Sequence, residues 1–136
     1  MDETHDYGRF IQSGDPLDKF AFRTPTLLNV EVTGPYGHTG AYQKLRSMIR
    51  HMLNPLEAIK HYDFSLKNLD ASIQKTRARE NTDEALAQLQ YLQDKGKSKL
   101  EMFPVNEAHV EQLFQFLLSL TDPCVKNTVC LADWID

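Results

Sequence analysis

The sequence predicts a mainly α-helical domain with long ordered loops. Apolar residues recur at helical spacing in the runs that include Leu45, Leu86 and Val110, whereas strand-like alternation is rare. The 136 residues fit a single domain, residues 1–136, and a chain of this length can bury roughly two thirds of the surface that its unfolded form exposes. One modest core is therefore expected.

The first 42 residues predict irregular structure. Residues 1–21 contain glycine, aspartate and proline and show no sustained period, so we expect an irregular arm. Pro25 and Pro35 exclude a continuous helix over residues 22–42. Four apolar side chains are expected to dock this second segment on the core as an extended chain: Leu27, Leu28, Val30 and Val32.

Two helices are expected directly after this segment. The first spans residues 45–53 and ends at Asn54, because a residue that precedes proline is driven out of the α region. The second is short, spans residues 55–61, and has Pro55 in its permitted first turn. Residues 62–80 give no clear pattern.

Two more helices are expected in the C-terminal half. Asn81 or Thr82 is a candidate cap for a helix that runs to about Lys95, and Gly96 supplies its stop. Asn106 is the candidate cap of the last helix, which the Asp-Pro pair at residues 122–123 ends. The inward stripe of this last helix is expected to contain Val110, Leu113, Phe114, Leu117 and Leu120.

Charge and hydropathy exclude two classes of partner. The net charge is −4 and no run of lysine or arginine is present, so neither nucleic acid nor an anionic membrane surface is an expected partner. The longest apolar run, residues 113–120, is much shorter than the ~20 residues that span a bilayer. No secretory signal is visible at the N-terminus, where Asp2, Glu3 and Asp6 indicate a solvated acidic end.

The two cysteines predict a small disulfide loop. Five residues separate Cys124 from Cys130, and a bridge of this size would stabilise the tail by roughly 2 kcal/mol. Free buried thiols are the alternative, whereas zinc would need four ligands at tighter paired spacing. A disulfide would imply an oxidising compartment.

The most specific signal lies in residues 22–40, which read FRTPTLLNVEVTGPYGHTG and precede a helical run that carries His51 and Met52. This order of motifs resembles the C-terminal haem domain of the di-haem cytochrome c peroxidase and MauG family. The resemblance covers residues 6–63 and returns at residues 103–134, where the D-P-C…C-L-x-x-W pattern is similar to that of a periplasmic subgroup. It implies a partial cytochrome c-like helical fold and a periplasmic location.

The resemblance implies that Met52 is an axial ligand of haem iron. Met52 falls at the last position of the family pattern L-x-x-x-V-x-x-[M/Y/H] when Leu45 is counted as the first. His51, one residue away, competes for the same role. The alternative is that Met52 simply completes an apolar helix face with Leu45, Met48 and Ile49. Methionine here resembles the peroxidase branch, whereas a tyrosine would resemble MauG, which oxidises a partner protein.

Four further residues enter the implied site. His38 matches a family histidine expected to form hydrogen bonds near the haem or its propionates, or it packs within a tight glycine-flanked loop. Arg23 is expected to pair with a propionate, unless it is solvated or paired with a carboxylate. Thr33 and Pro35 match the residues whose backbone carbonyls help to hold calcium in the family. Two carbonyls cannot fill the six or more positions of calcium, so other ligands would come from outside the chain and from water.

A covalent haem c requires the motif C-x-x-C-H, which this sequence lacks. The resemblance places residues 6–10 in the middle of a haem domain, so the haem would be carried by an upstream segment or a partner chain. Three functions are compatible with the sequence. The first is part of a periplasmic di-haem peroxidase that takes electrons from a small donor protein and reduces hydrogen peroxide, or performs a MauG-like oxidation. The second is a haem-free binding or accessory module, and the third is an inactive fragment.

Overall fold

The computed structural model describes residues 6–67 and 77–127 together with Cys130. This part of the chain contains α-helices and no β-strand, which confirms the mainly α class. The helices are α1 (Phe10–Ser13), α2 (Leu45–Leu53), α3 (Pro55–Lys60), α4 (Ala78–Asp94) and α5 (Glu107–Ser119). Short 3₁₀ turns lie at Pro16–Asp18, Val30–Val32 and Pro123–Lys126.

The core lies where α2 packs on α5. Leu45 and Ile49 of α2 are buried against Val110 of α5, which has 1% of its surface exposed. Six partly buried side chains surround these three: Val30, Tyr36, Leu53, Val105, Phe114 and Leu117. The helix α3 folds back on α2 directly after Asn54.

Two arginine–glutamate pairs join α2 to α5 beside this core. Arg46 donates from Nε and Nη2 to the two carboxylate oxygens of Glu111, at 2.9 and 3.1 Å. Arg50 donates in the same way to Glu107, at 2.9 and 2.5 Å. The earlier arginine pairs with the later glutamate, so the two helices run antiparallel.

The helix boundaries follow local sequence signals at most ends. The helix α2 has the predicted bounds, and α3 ends one residue before the predicted end. The predicted cap of α5 is confirmed, because Asn106 Oδ1 accepts from Ala108 N at 2.8 Å. Gly96 has φ +61° after α4, and Lys97 N donates to Leu92 O at 2.8 Å, as in a glycine-terminated helix.

The start of α4 differs from the prediction. The helix begins at Ala78, after Arg77 in the left-handed region with φ 55°, and neither Asn81 nor Thr82 caps it. Thr82 instead lies inside the helix, where its hydroxyl donates to Ala78 O at 2.7 Å. A threonine hydroxyl that donates to the carbonyl four residues earlier in the same helix is not available to cap the helix.

The N-terminal arm is more ordered than the sequence predicted. Residues 6–21 contain α1 and a 3₁₀ turn, and Arg9 N donates to Ala21 O at 2.9 Å, which closes the arm on itself. Lys19 reaches α4 through an ion pair with Glu84, with 3.2 Å between Nζ and Oε1. The prediction of an irregular arm is therefore wrong for residues 6–21, and residues 1–5 lie outside the described part.

Several apolar side chains that were predicted to dock on the core are exposed. Val30 packs against it as expected, but Leu27, Leu28 and Val32 are exposed. Leu113 is likewise exposed on α5, although it was expected on the inward stripe. The predictions were wrong for these four side chains because the described core does not extend to them. None of the helices in the described ranges combines the length and apolar character needed to cross a bilayer.

Candidate functional site

Met52 lies on the apolar stripe of α2 but outside the core. At about 100° per residue, Met52 is only about 20° from Leu45 and about 60° from Ile49 around the helix axis. Leu45 and Ile49 are buried, whereas Met52 is 56% exposed. The apolar stripe of α2 therefore ends at Met52, whose thioether is not covered by the described core. The alternative in which Met52 completes the packed face of the helix is not supported.

His51 is held by Tyr42. The Tyr42 hydroxyl lies 3.0 Å from His51 Nδ1. Burial raises the pKa of Tyr42 to about 12, with a smaller contribution from Tyr62, and burial lowers the pKa of His51. Both groups are therefore neutral near pH 7, and a hydrogen bond joins the phenol to Nδ1 of the imidazole. This bond occupies one of the two nitrogens of His51. Of the two candidate ligands, Met52 is the more exposed.

His38 contacts the N-terminal arm. Its ring stacks on Phe22 with 3.7 Å between centroids, and its Nε2 lies 2.7 Å from Asp6 Oδ2. The other oxygen of Asp6 accepts from Gly8 N at 2.9 Å. The hydrogen bond from Gly8 and then that from His38 lower the pKa of Asp6. Asp6 is thus a partner of the glycine-flanked loop, and its side chain is 56% exposed, in agreement with the expected solvated terminus.

Arg23, Thr33 and Pro35 make few contacts. Arg23 is exposed and forms no ion pair with any described residue. The Thr33 amide and hydroxyl both donate to Val30 O at 3.3 Å. The carbonyls of Thr33 and Pro35 accept no hydrogen bond within the described ranges. Those ranges also contain no group of three or more His, Cys, Asp or Glu side chains that could hold a metal, so these two carbonyls alone do not make a calcium site.

The two cysteines lie at disulfide distance, as predicted. The Cα atoms of Cys124 and Cys130 are 5.1 Å apart. Within the loop that they close, Lys126 Nζ lies 2.5 Å from Glu31 Oε2. This ion pair joins the C-terminal loop to the 3₁₀ turn that precedes the G-P-Y-G-H motif. The remaining C-terminal family residues, Leu131 and Trp134, lie outside the described residues.

A cleft of about 690 Å³ opens between α2, α3 and the start of α5. Its lining combines two tyrosines, Tyr42 and Tyr62, with Lys44, Ser47 and Arg50 and with three carboxylates, those of Glu57, Asp63 and Glu107. The rings of Tyr42 and Tyr62 meet edge to face with 5.4 Å between centroids. None of the site residues predicted from the sequence lines this cleft. Helical periodicity could not predict the cleft, because both tyrosines come from irregular segments beside helix ends.

Comparison with known proteins returned no relative: no protein-family model, no curated protein and no solved structure matches this chain.

Proposed function

We propose that this chain is part of a periplasmic di-haem cytochrome c peroxidase-like protein. In this proposal it is a partial cytochrome c-like helical domain that supplies a methionine to a haem c carried by an upstream segment or a partner chain. The exposure of Met52 at the end of an otherwise buried stripe is the observation that carries the proposal.

Two exposed side chains at the end of α2 support the proposal. The Phe103 amide donates to Leu53 O at 2.9 Å, which places the Phe103 backbone at the end of α2, and its side chain is exposed, as is that of Met52. A thioether is a soft ligand that suits haem iron better than a hydrated hard cation, and an aromatic ring offers apolar surface to a porphyrin. Arg23, exposed and without an ion pair among the described residues, remains available to a propionate.

The role proposed for this chain is to hold one ligand in place. A haem with methionine opposite histidine supplies a high-potential electron carrier when it is bound. The two arginine–glutamate pairs and the buried Leu45 and Ile49 fix the rotation of α2, so the Met52 sulfur is presented on one side. Electrons from a small donor protein would enter at this centre, and hydrogen peroxide would be reduced at a second haem outside the chain.

Calcium and the compartment belong to the same proposal. The carbonyls of Thr33 and Pro35, which accept no hydrogen bond from the described residues, would contribute two ligands to a calcium ion that the rest of the enzyme completes. The cysteine pair at disulfide distance is compatible with an oxidising compartment such as the periplasm. Methionine rather than tyrosine at residue 52 favours the peroxidase branch over the MauG-like one.

A haem-free binding or accessory module is the second candidate. The exposed Leu27, Leu28 and Val32 favour it, since a contiguous exposed apolar surface is typical of sites that contact a partner and these three residues lie in one short segment of the chain. An inactive fragment would show neither haem binding nor a partner. The test of the first proposal also separates it from these two.

The test uses the full 136-residue chain and a haem c peptide that keeps its histidine ligand and has an open sixth position. Titration of the ferric peptide with the chain should produce the far-red absorption band of methionine–histidine coordination. Met52→Leu should remove the band. Met48→Leu, a matched change on the same helix, should keep it, and so should His51→Gln. A band that survives Met52→Leu, or no band with the unchanged chain, would overturn the proposal. The chain purified alone should show no covalent haem after denaturation.

A further inference from the structure

We propose that the cleft between α2 and α3 binds a small aromatic carboxylate. The cleft is separate from the Met52 face, because Ser47 and Arg50, which line it, are about 140° from Met52 or farther around the axis of α2. The proposal therefore does not depend on haem.

The walls of the cleft are aromatic and fixed. Tyr62 donates its hydroxyl to Ala41 O at 3.0 Å, and the Tyr42 hydroxyl forms a hydrogen bond with His51 Nδ1 at 3.0 Å. Both polar ends are thus used inside the protein, and the ring surfaces are left for the cleft. Leu66, which is buried, adds an aliphatic surface to the lining. Rings held in this way favour a flat apolar ligand, which can pack against them edge to face.

The polar groups of the cleft bear on the charge of the ligand. Two of the three carboxylates that line it have cationic partners, since Glu107 pairs with Arg50 and Glu57 with Lys60. The third, Asp63, accepts from Ser65, a neutral partner. A cationic ligand would therefore compete with a cation at Glu107 and at Glu57.

Two donors in the lining remain unused. The Lys44 ammonium and the Ser47 hydroxyl have no hydrogen-bond partner among the described residues. Lys44 is the N-cap residue of α2 and Ser47 lies in the first turn of that helix, and both line the cleft. An ammonium and a hydroxyl without acceptors favour a carboxylate, and the aromatic walls favour a ring attached to it.

The size of the cleft limits the ligand to a small molecule. Its volume of about 690 Å³ falls within the roughly 300–1,000 Å³ typical of small-molecule sites. A single ring with a short carboxylate chain fits this volume. Because Lys44 is exposed to solvent, we expect affinity in the millimolar range and a clear dependence on salt.

The experiment is an NMR titration of the full chain with three probes. 3-Phenylpropanoate is the test ligand, 3-phenylpropylamine keeps the ring and reverses the charge, and propanoate keeps the charge without the ring. We expect 3-phenylpropanoate to shift the amide resonances of Lys44, Ser47 and Tyr62, and the other two probes to bind at least fivefold more weakly. Equal binding of the amine or of propanoate would overturn the proposal.

Variants test the same assignment. Lys44→Ala should weaken 3-phenylpropanoate binding by about fivefold, the loss expected for one exposed charge contact of about 1 kcal/mol. Ser47→Ala should weaken it by a smaller factor. Lys97→Ala is the matched control, since Lys97 is also an exposed lysine but does not line the cleft. Unchanged binding to the Lys44 variant, or equal loss in the Lys97 variant, would show that the ligand does not use this cleft.

Discussion

Replacing Val110 with alanine should lower the free energy of unfolding by about 2 kcal/mol. Val110 has 1% of its surface exposed and packs against Leu45 and Ile49. Removal of two buried methyl groups costs about 1.6 kcal/mol at ~0.8 kcal/mol each. The cavity that they leave adds about 1 kcal/mol if the core does not collapse. The better helix propensity of alanine offsets about 0.5 kcal/mol of this cost.

Urea unfolding followed by circular dichroism measures this change. The midpoint should fall while the denaturant slope stays constant, because the surface exposed on unfolding is unchanged. For a chain of 136 residues, a loss of about 2 kcal/mol corresponds to a fall in melting temperature of roughly 7 °C.

Val32→Ala is the matched control. It removes the same two methyl groups, but from a side chain that is 49% exposed, so it should cost only about 0.8 kcal/mol. If Val32→Ala destabilises the protein as much as Val110→Ala, the core does not lie between α2 and α5 as described.

Three further predictions follow from single interactions. Tyr42 has a pKa of about 12, so an alkaline titration of tyrosine absorbance should show it as the last phenol to ionise. Tyr42→Phe should remove that late step. Simultaneous ionisation of all tyrosines would contradict the burial of Tyr42. Reduction of the Cys124–Cys130 pair should lower the unfolding free energy by about 2 kcal/mol, and an unchanged urea midpoint would argue against a disulfide. The pKa of Asp6 is lowered, first by the hydrogen bond from the Gly8 amide. The contribution of Asp6 to the free energy of unfolding is therefore present above about pH 4 and is lost as the pH falls through the lowered pKa. Asp6→Asn should therefore differ in stability from the natural chain at pH 6 and approach it in acid; a difference that does not depend on pH would contradict this assignment.

Local sequence rules accounted for helix ends better than for helix faces. Asn106 and Gly96 act as predicted. An N-cap residue needs only its own side chain and the backbone of the adjacent turn. A glycine that ends a helix needs only its own positive φ and the backbone of the adjacent turn. Thr82 misled the prediction of the α4 start, since the same hydroxyl can bond inside a helix or at its end. Neighbouring residues do not decide between these two uses.

Which side chains are buried, and which residues meet at the candidate site, depends on tertiary contacts that the spacing of residues in the sequence does not encode. Leu113 and Val110 lie three residues apart on α5, yet only Val110 meets α2. The hydrogen bond between His51 and Tyr42 could not be predicted either, because Tyr42 lies in an irregular segment nine residues earlier. Helical periodicity predicted that residues such as Met52 and Leu113 are apolar positions on a helix, but it could not predict which of them the fold covers.

The paired charges between α2 and α5 also determine the axial register of the two helices. Arg46 and Arg50 are one turn apart, and so are Glu111 and Glu107. A slip of one turn, about 5.4 Å along the axis, would leave one arginine and one glutamate without partners, whereas the apolar side chains could still find new contacts. Hydrophobic packing thus makes the two helices associate, and the paired charges favour one alignment over its neighbours. Any ligand that α2 presents is therefore positioned along the axis by α5, a helix that does not itself need to touch it.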